Sequence, residues 1–132
     1  MERLYTKEVD VHTLSPLALA FVGDGVYSLL VRERLLTIAN RPVSDLHQLA
    51  VNAVRAEAQS AAVNRLLPQR TDEELAVFKR GRNAHTFRTG AEYHRATGLE
   101  SLFGYLYLDG RLDRIQTLFS VCMEEVLPRD EA

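Results

Sequence analysis

Leu17-Ala18-Leu19-Ala20-Phe21-Val22-Gly23-Asp24-Gly25-Val26-Tyr27-Ser28-Leu29-Leu30-Val31 is the stretch on which the fold turns. Every residue in it is apolar, glycine or small except Asp24, Tyr27 and Ser28. Its apolar positions recur at helical spacing, and Ser15 followed by Pro16 has the form of an N-cap and a first helical residue. A helix that is apolar all round is expected to be buried. A lone carboxylate in such a place would be costly, and two flanking glycines would each cost about 1 kcal/mol against alanine. Gly23 and Gly25 therefore mark a place where another backbone, an ion or a ligand comes close. Two explanations of Asp24 stand side by side: an ion pair with an arginine such as Arg32 or Arg55, or a functional carboxylate.

Outward from this helix the 3.6-residue period continues. A second helix is expected from Ser44 through Leu46, Leu49, Ala53 and Val54 to Leu67, stopped by Pro68. Thr71 with Glu74 three residues on has the form of a capping box, opening a helix through Leu75 and Phe78. Residues 81–91, with two glycines, read as a loop. Tyr93 to Leu108 reads as a further helix stopped by Asp109-Gly110, and a last one runs from Leu112 through Cys122 and Val126 to Pro128. No strand-like alternation bounded by hairpin turns occurs, so the expected class is all-α. At 132 residues, 46% hydrophobic and 26% charged, the chain has the size of one domain, taken here as residues 1–132.

Composition sets further bounds. A membrane-spanning helix needs about 20 apolar residues, which Asp24 interrupts, and residues 1–10 lack the apolar core of a secretory signal. A single cysteine, Cys122, rules out an internal disulfide and points to the cytoplasm. The net charge of −2 argues against a protein that merely coats nucleic acid. The charge is uneven, however: residues 79–95 carry Lys79, Arg80, Arg82, Arg88 and Arg95 against one acid, Glu92.

Glu100 repeats the Asp24 pattern in Leu99-Glu100-Ser101-Leu102-Phe103-Gly104-Tyr105-Leu106-Tyr107-Leu108, where it is the only charge and Gly104 lies one turn beyond. Two such carboxylates on apolar, glycine-bearing helices imply that the helices meet and share something positive. A hard divalent cation such as Mg²⁺ suits one or two carboxylates completed by water and substrate phosphate. The stretch Lys79-Arg80-Gly81-Arg82-Asn83-Ala84-His85 can place cations and amides around a phosphate, although a charge run is more often just a solvated face. The histidines lack zinc-ligand spacing, and Gly23-Asp24-Gly25 is not a phosphate loop.

Together these segments resemble the ribonuclease III catalytic domain. Leu17–Tyr27 is similar to its signature helix. The Leu46-His47 pair, Arg80–Ala84 and Gly98–Leu108 are similar to its small bacterial branch, Mini-ribonuclease III, which lacks a double-stranded-RNA-binding domain. The resemblance spans about residues 14–120, and 132 residues leave no room for such a domain. It implies an all-helical homodimer that cuts double-stranded RNA with Mg²⁺, leaving 5′-phosphate and 3′-hydroxyl ends. The implied substrate is precursor 23S ribosomal RNA, with a ribosomal protein as a candidate partner and no membrane. By the same resemblance Asp24 and Glu100 are the catalytic metal ligands. Phe21 takes the position that packs across the dimer interface, with an ordinary core residue as the alternative. Lys79, Arg80, Arg82, Asn83, His85 and Arg88 are the expected RNA-binding residues.

Three features depart from the family pattern. Ala20 and Thr97 stand where full-length enzymes carry two further carboxylates, an absence that matches the small branch. The 83–93 loop is shorter than usual and lacks a Pro-Lys-Asn segment. Glu57 replaces a frequent lysine, and a solvated helix face is the favoured reading of it. A non-catalytic RNA-binding or ribosome-assembly protein on the same fold is the alternative function, and a helical interaction module with arginine-paired carboxylates is a third.

Overall fold

A computed structural model describes residues 3–38 and 40–124. Six α-helices occur among them: α1 (Pro16–Ile38), α2 (Val43–Val54), α3 (Ala56–Leu66), α4 (Asp72–Arg82), α5 (Ala91–Leu108) and α6 (Leu112–Cys122). Short 3₁₀ turns at Val11–Thr13 and Leu67–Gln69 complete the regular structure, and no strand occurs among the described residues. Among the described residues, no helix is long and apolar enough to cross a membrane.

Helix α5 is the axis of the molecule. Ala96 to Leu106 are buried apart from the half-buried Glu100, and α1, α3, α4 and α6 all pack against this helix. Its closest neighbour is α1. A methyl group added to Gly23 would collide with the Glu100 carbonyl and lie 2.8 Å from the Gly104 amide nitrogen. One added to Gly104 would collide with the Leu19 carbonyl. The two backbones are therefore in direct contact, which only glycine permits. A second close approach joins α4 to α5, with Gly81 against Ser101 and Gly98 against Phe78.

Local signals are realised where they were clearest. The Ser15 hydroxyl accepts from the Ala18 amide at 3.1 Å, and Asp109-Gly110 ends α5 with Gly110 at φ +76°. The Thr71–Glu74 capping box is formed, and Glu74 does more than cap. It is almost fully buried, and its two oxygens accept from the Arg114 guanidinium at 2.7 and 2.8 Å, tying α4 to α6. Burial works against this carboxylate, but Arg114 and the Thr71 amide outweigh it and hold its pKa below the ordinary value.

Three expectations are corrected, and a fourth falls largely outside the described residues. The helix expected from Ser44 to Leu67 is broken at Arg55, whose extended ψ of 158° ends α2 and starts α3. No proline or glycine announces this break; the Gln59 side chain supports it by donating to the freed Val54 carbonyl at 2.9 Å. Gly81 is not in a loop, because α4 continues to Arg82 under the close contact with α5. Helix α6 ends at Cys122, and the expected continuation through Val126 to Pro128 lies largely outside the described residues. Finally, α1 is buried on one face only: Leu19, Gly23, Tyr27, Val31 and Leu35 point inward, while Phe21 is 83% exposed.

Alanine normally favours a helix over glycine by about 1 kcal/mol. At the crossing the sign must reverse: Gly104→Ala should cost about 3 kcal/mol or more, since two backbones would have to separate. Urea unfolding measures this, and a change within about 0.5 kcal/mol would show that the helices are not in contact there.

Candidate active site

The α1–α5 crossing dictates which polar groups meet. Asp24 follows the glycine that touches the Glu100 carbonyl, so the two carboxyl groups are brought near enough for the charge of Asp24 to act on Glu100. Glu100 is half-buried, whereas Asp24 is exposed on the surface of α1. The expectation of two buried carboxylates is thus corrected for Asp24: the open face of α1 leaves it in reach of solvent. Neither arginine suggested as its partner takes that role, and Arg55 instead lies 3.8 Å from Glu57.

The forces on Glu100 identify what the site lacks. Burial comes first and the negative charge of Asp24 second; together they push its carboxyl up to about 7, against which only a hydrogen bond from Gln59 acts. None of these groups is cationic. Gln59, 1% exposed, donates through Nε2 to Glu100 Oε2 at 3.3 Å, and its own Oε1 is buried without a partner. Like-charged oxygens that face each other without a protein cation are a fitting donor set for a hard metal ion. No group of three or more histidine, cysteine or acidic side chains that could hold a metal occurs among the described residues. A metal here would rest on the two carboxylates and on water or substrate.

The other site residues divide into two places. Lys79 and Arg80 are exposed on the last turn of α4, and Arg82 lies with its guanidinium 5.8 Å from the Phe78 ring centre and donates to Asn83. Asn83 caps α4, while His85 and Arg88 lie exposed on the connection to α5. Arg88 stacks over Tyr93, its guanidinium 5.5 Å from the ring centre. The contacts of Gly81 with Gly98 and Ser101 hold this basic turn beside α5 at the level of Glu100. Arg95, counted in the basic stretch, turns inward and bonds Ser60 and Asn64 of α3. Phe21 stands apart on the open face of α1.

The departures from the family pattern are placed as well. Ala20 and Thr97 are both buried, and the Thr97 hydroxyl donates back to the Tyr93 carbonyl of its own helix. The Glu57 side chain is 60% exposed, the solvated helix face that was expected. Cys122 is a core residue, its thiol pushed up to about 12 mainly by burial. Gln59 carried no expectation from sequence. Its signal was available, because it shares the inward stripe of α3 with Ala62, Val63 and Leu66.

An all-helical domain with this pair of carboxylates matches the Ribonuclease III domain over residues 17–111. A Mini-ribonuclease 3 from Thermoanaerobacter sp. (strain X514) is 41% identical over 128 residues, covering 93% of this chain and 89% of its own. One from Synechococcus sp. is 50% identical over 99 residues, covering 72% and 71%. A crystal structure of a protein from Fusobacterium nucleatum superposes with a TM-score of 0.78 at 27% identity, covering 92% of this chain and 100% of that one. The chain belongs to the ribonuclease III family, in its Mini-ribonuclease 3 branch, and is an endoribonuclease.

A carboxyl with a folded pKa near 7 binds its proton more tightly folded than unfolded, so stability falls as pH rises from about 4.5 to about 7. Glu100→Gln removes that loss. The metal-free variant should be more stable than the parent at pH 8, by up to about 3 kcal/mol, and near equal at pH 4.5. Urea unfolding at both pH values decides it, and a variant no more stable at pH 8 would contradict the like-charge account.

Proposed function

We propose that the chain cuts double-stranded RNA with Mg²⁺ held by Asp24 and Glu100, acting as a homodimer with residues 1–132 as one catalytic domain. The observation that carries this reading is the carboxylate pair, two acids from separate helices held together with no cationic group among the forces on Glu100. The donors are hard oxygens, which suit Mg²⁺ rather than zinc. When bound, such an ion lowers the pKa of water and offsets the charge that develops on a phosphodiester.

The protein's own part is to hold the two carboxylates and the RNA. A-form RNA hides its base edges in a deep major groove, so recognition goes to phosphates and 2′-hydroxyls. Lys79, Arg80, Arg82, Asn83, His85 and Arg88 are the groups proposed to make those contacts, and affinity should fall steeply with salt. Precursor 23S ribosomal RNA in the cytoplasm is the proposed substrate, with 5′-phosphate and 3′-hydroxyl products and a ribosomal protein as candidate partner. Support for these specifics is the similarity of residues 80–84 and 98–108 to the Mini-ribonuclease III pattern.

The proposed dimer is supported by α1. Leu17, Phe21 and Leu29 are exposed, and beside them Val22, Val26, Leu29 and Leu30 line a groove of about 510 Å³ with Tyr107 and Ile115. A single copy leaves this apolar surface in water. A two-fold pairing would put Phe21 of each copy against the groove of the other.

The test incubates the protein with long duplex RNA in Mg²⁺ and in EDTA, beside Asp24→Asn and Glu100→Gln. Cutting should require Mg²⁺ and fall at least about 100-fold in each variant, while Phe21→Arg should sediment as a monomer. Full cutting by either carboxylate variant, or in EDTA, would overturn the metal assignment. A Phe21→Arg variant that stays dimeric would overturn the interface.

A further inference from the structure

Gln59 is a buried polar side chain bonded to one member of the carboxylate pair. It is 1% exposed on the inward stripe of α3, yet it belongs to neither helix that supplies the acids. Its Nε2 donates to the Val54 carbonyl at 2.9 Å and to Glu100 Oε2 at 3.3 Å. The Val54 carbonyl can only accept, so the amide nitrogen must face it and the orientation of the whole amide is settled. The Val54 carbonyl is also one of those released by the break at Arg55. A single amide thus connects that break to Glu100.

A purely structural role explains this poorly. Gln59 Oε1 is buried without a partner, a cost that an apolar residue of the same length would avoid. Closing the α2–α3 break requires one donor toward Val54, but not a donor aimed at a carboxylate 41 positions away.

We propose that Gln59 is a positioning residue for the metal site, holding one oxygen of Glu100 and leaving the other to the cation. The break between α2 and α3 then has a functional purpose, since it sets where this amide sits. The inference rests on the reading that Asp24 and Glu100 hold the ion.

The test is Gln59→Met, which keeps length and removes the amide, together with Gln59→Asn, which keeps the amide and shortens its reach. Mn²⁺ titration of the RNA-free protein, followed by electron paramagnetic resonance of free Mn²⁺, reads the site without catalysis. Both variants should bind Mn²⁺ about 10–100-fold more weakly. Their kcat should fall in step, with KM for duplex RNA little changed and part of kcat recovered at high Mg²⁺. Gln59→Met removes the unpartnered Oε1 but also frees the Val54 carbonyl, so its melting temperature serves only to confirm that the variant is folded. A folded Gln59→Met or Gln59→Asn with Mn²⁺ affinity and kcat within twofold of the parent would overturn the inference. Glu100→Gln separates the two levels. If it binds Mn²⁺ and cuts like the parent, the metal reading falls and this inference with it. If it loses both while the Gln59 variants lose neither, only the role of Gln59 falls.

Discussion

The contact of the Gly23 and Gly104 backbones is the constraint on which the rest of the structure depends. With any side chain at either position α1 and α5 would stand further apart, and Asp24 and Glu100 would not face each other. Two helical glycines cost local stability, and the recovered contact area offsets that cost through the buried face of α1. The same contact that completes the core therefore brings the two carboxylates together. Much of the remaining core is built around it: Tyr27, one turn along α1, packs edge-on against Phe103 and Phe119.

Around this crossing the molecule distributes charge in two opposite ways. At Glu74 and Arg114 a buried carboxylate is paired, capped and held ionised, which fastens α4 to α6. At Asp24 and Glu100 the carboxylates face each other instead, so Glu100 is pushed toward protonation. Removing one partner from a buried ion pair is strongly destabilising, whereas a like-charged pair is relieved by a cation. The first arrangement suits a structural role, and the second suits a site that takes up positive charge from solution.

Much of this was legible in the sequence because the signals were local. The Thr71–Glu74 cap, the Asp109-Gly110 stop and the close approach at Gly23 and Gly104 all led to what the structure shows, whereas Gly25 meets nothing within 4 Å. Less legible were features set by tertiary contact. The break at Arg55 has no glycine or proline, since a side chain four residues on stabilises it. Gly81 read as a loop residue, although its role is close packing against α5. The exposure of Asp24 and Phe21 could not be read from the composition of α1, which is apolar on its open face as on its buried one. Periodicity shows that a helix is apolar and does not show which of its faces this chain covers.

The most direct measurement is an anomalous difference map from crystals of the protein soaked in Mn²⁺. The account predicts one peak bound by oxygens of both Asp24 and Glu100, at the roughly 2.0–2.2 Å expected of a small hard cation. A fully soaked crystal with no density between these carboxylates, or with an arginine between them, would contradict it.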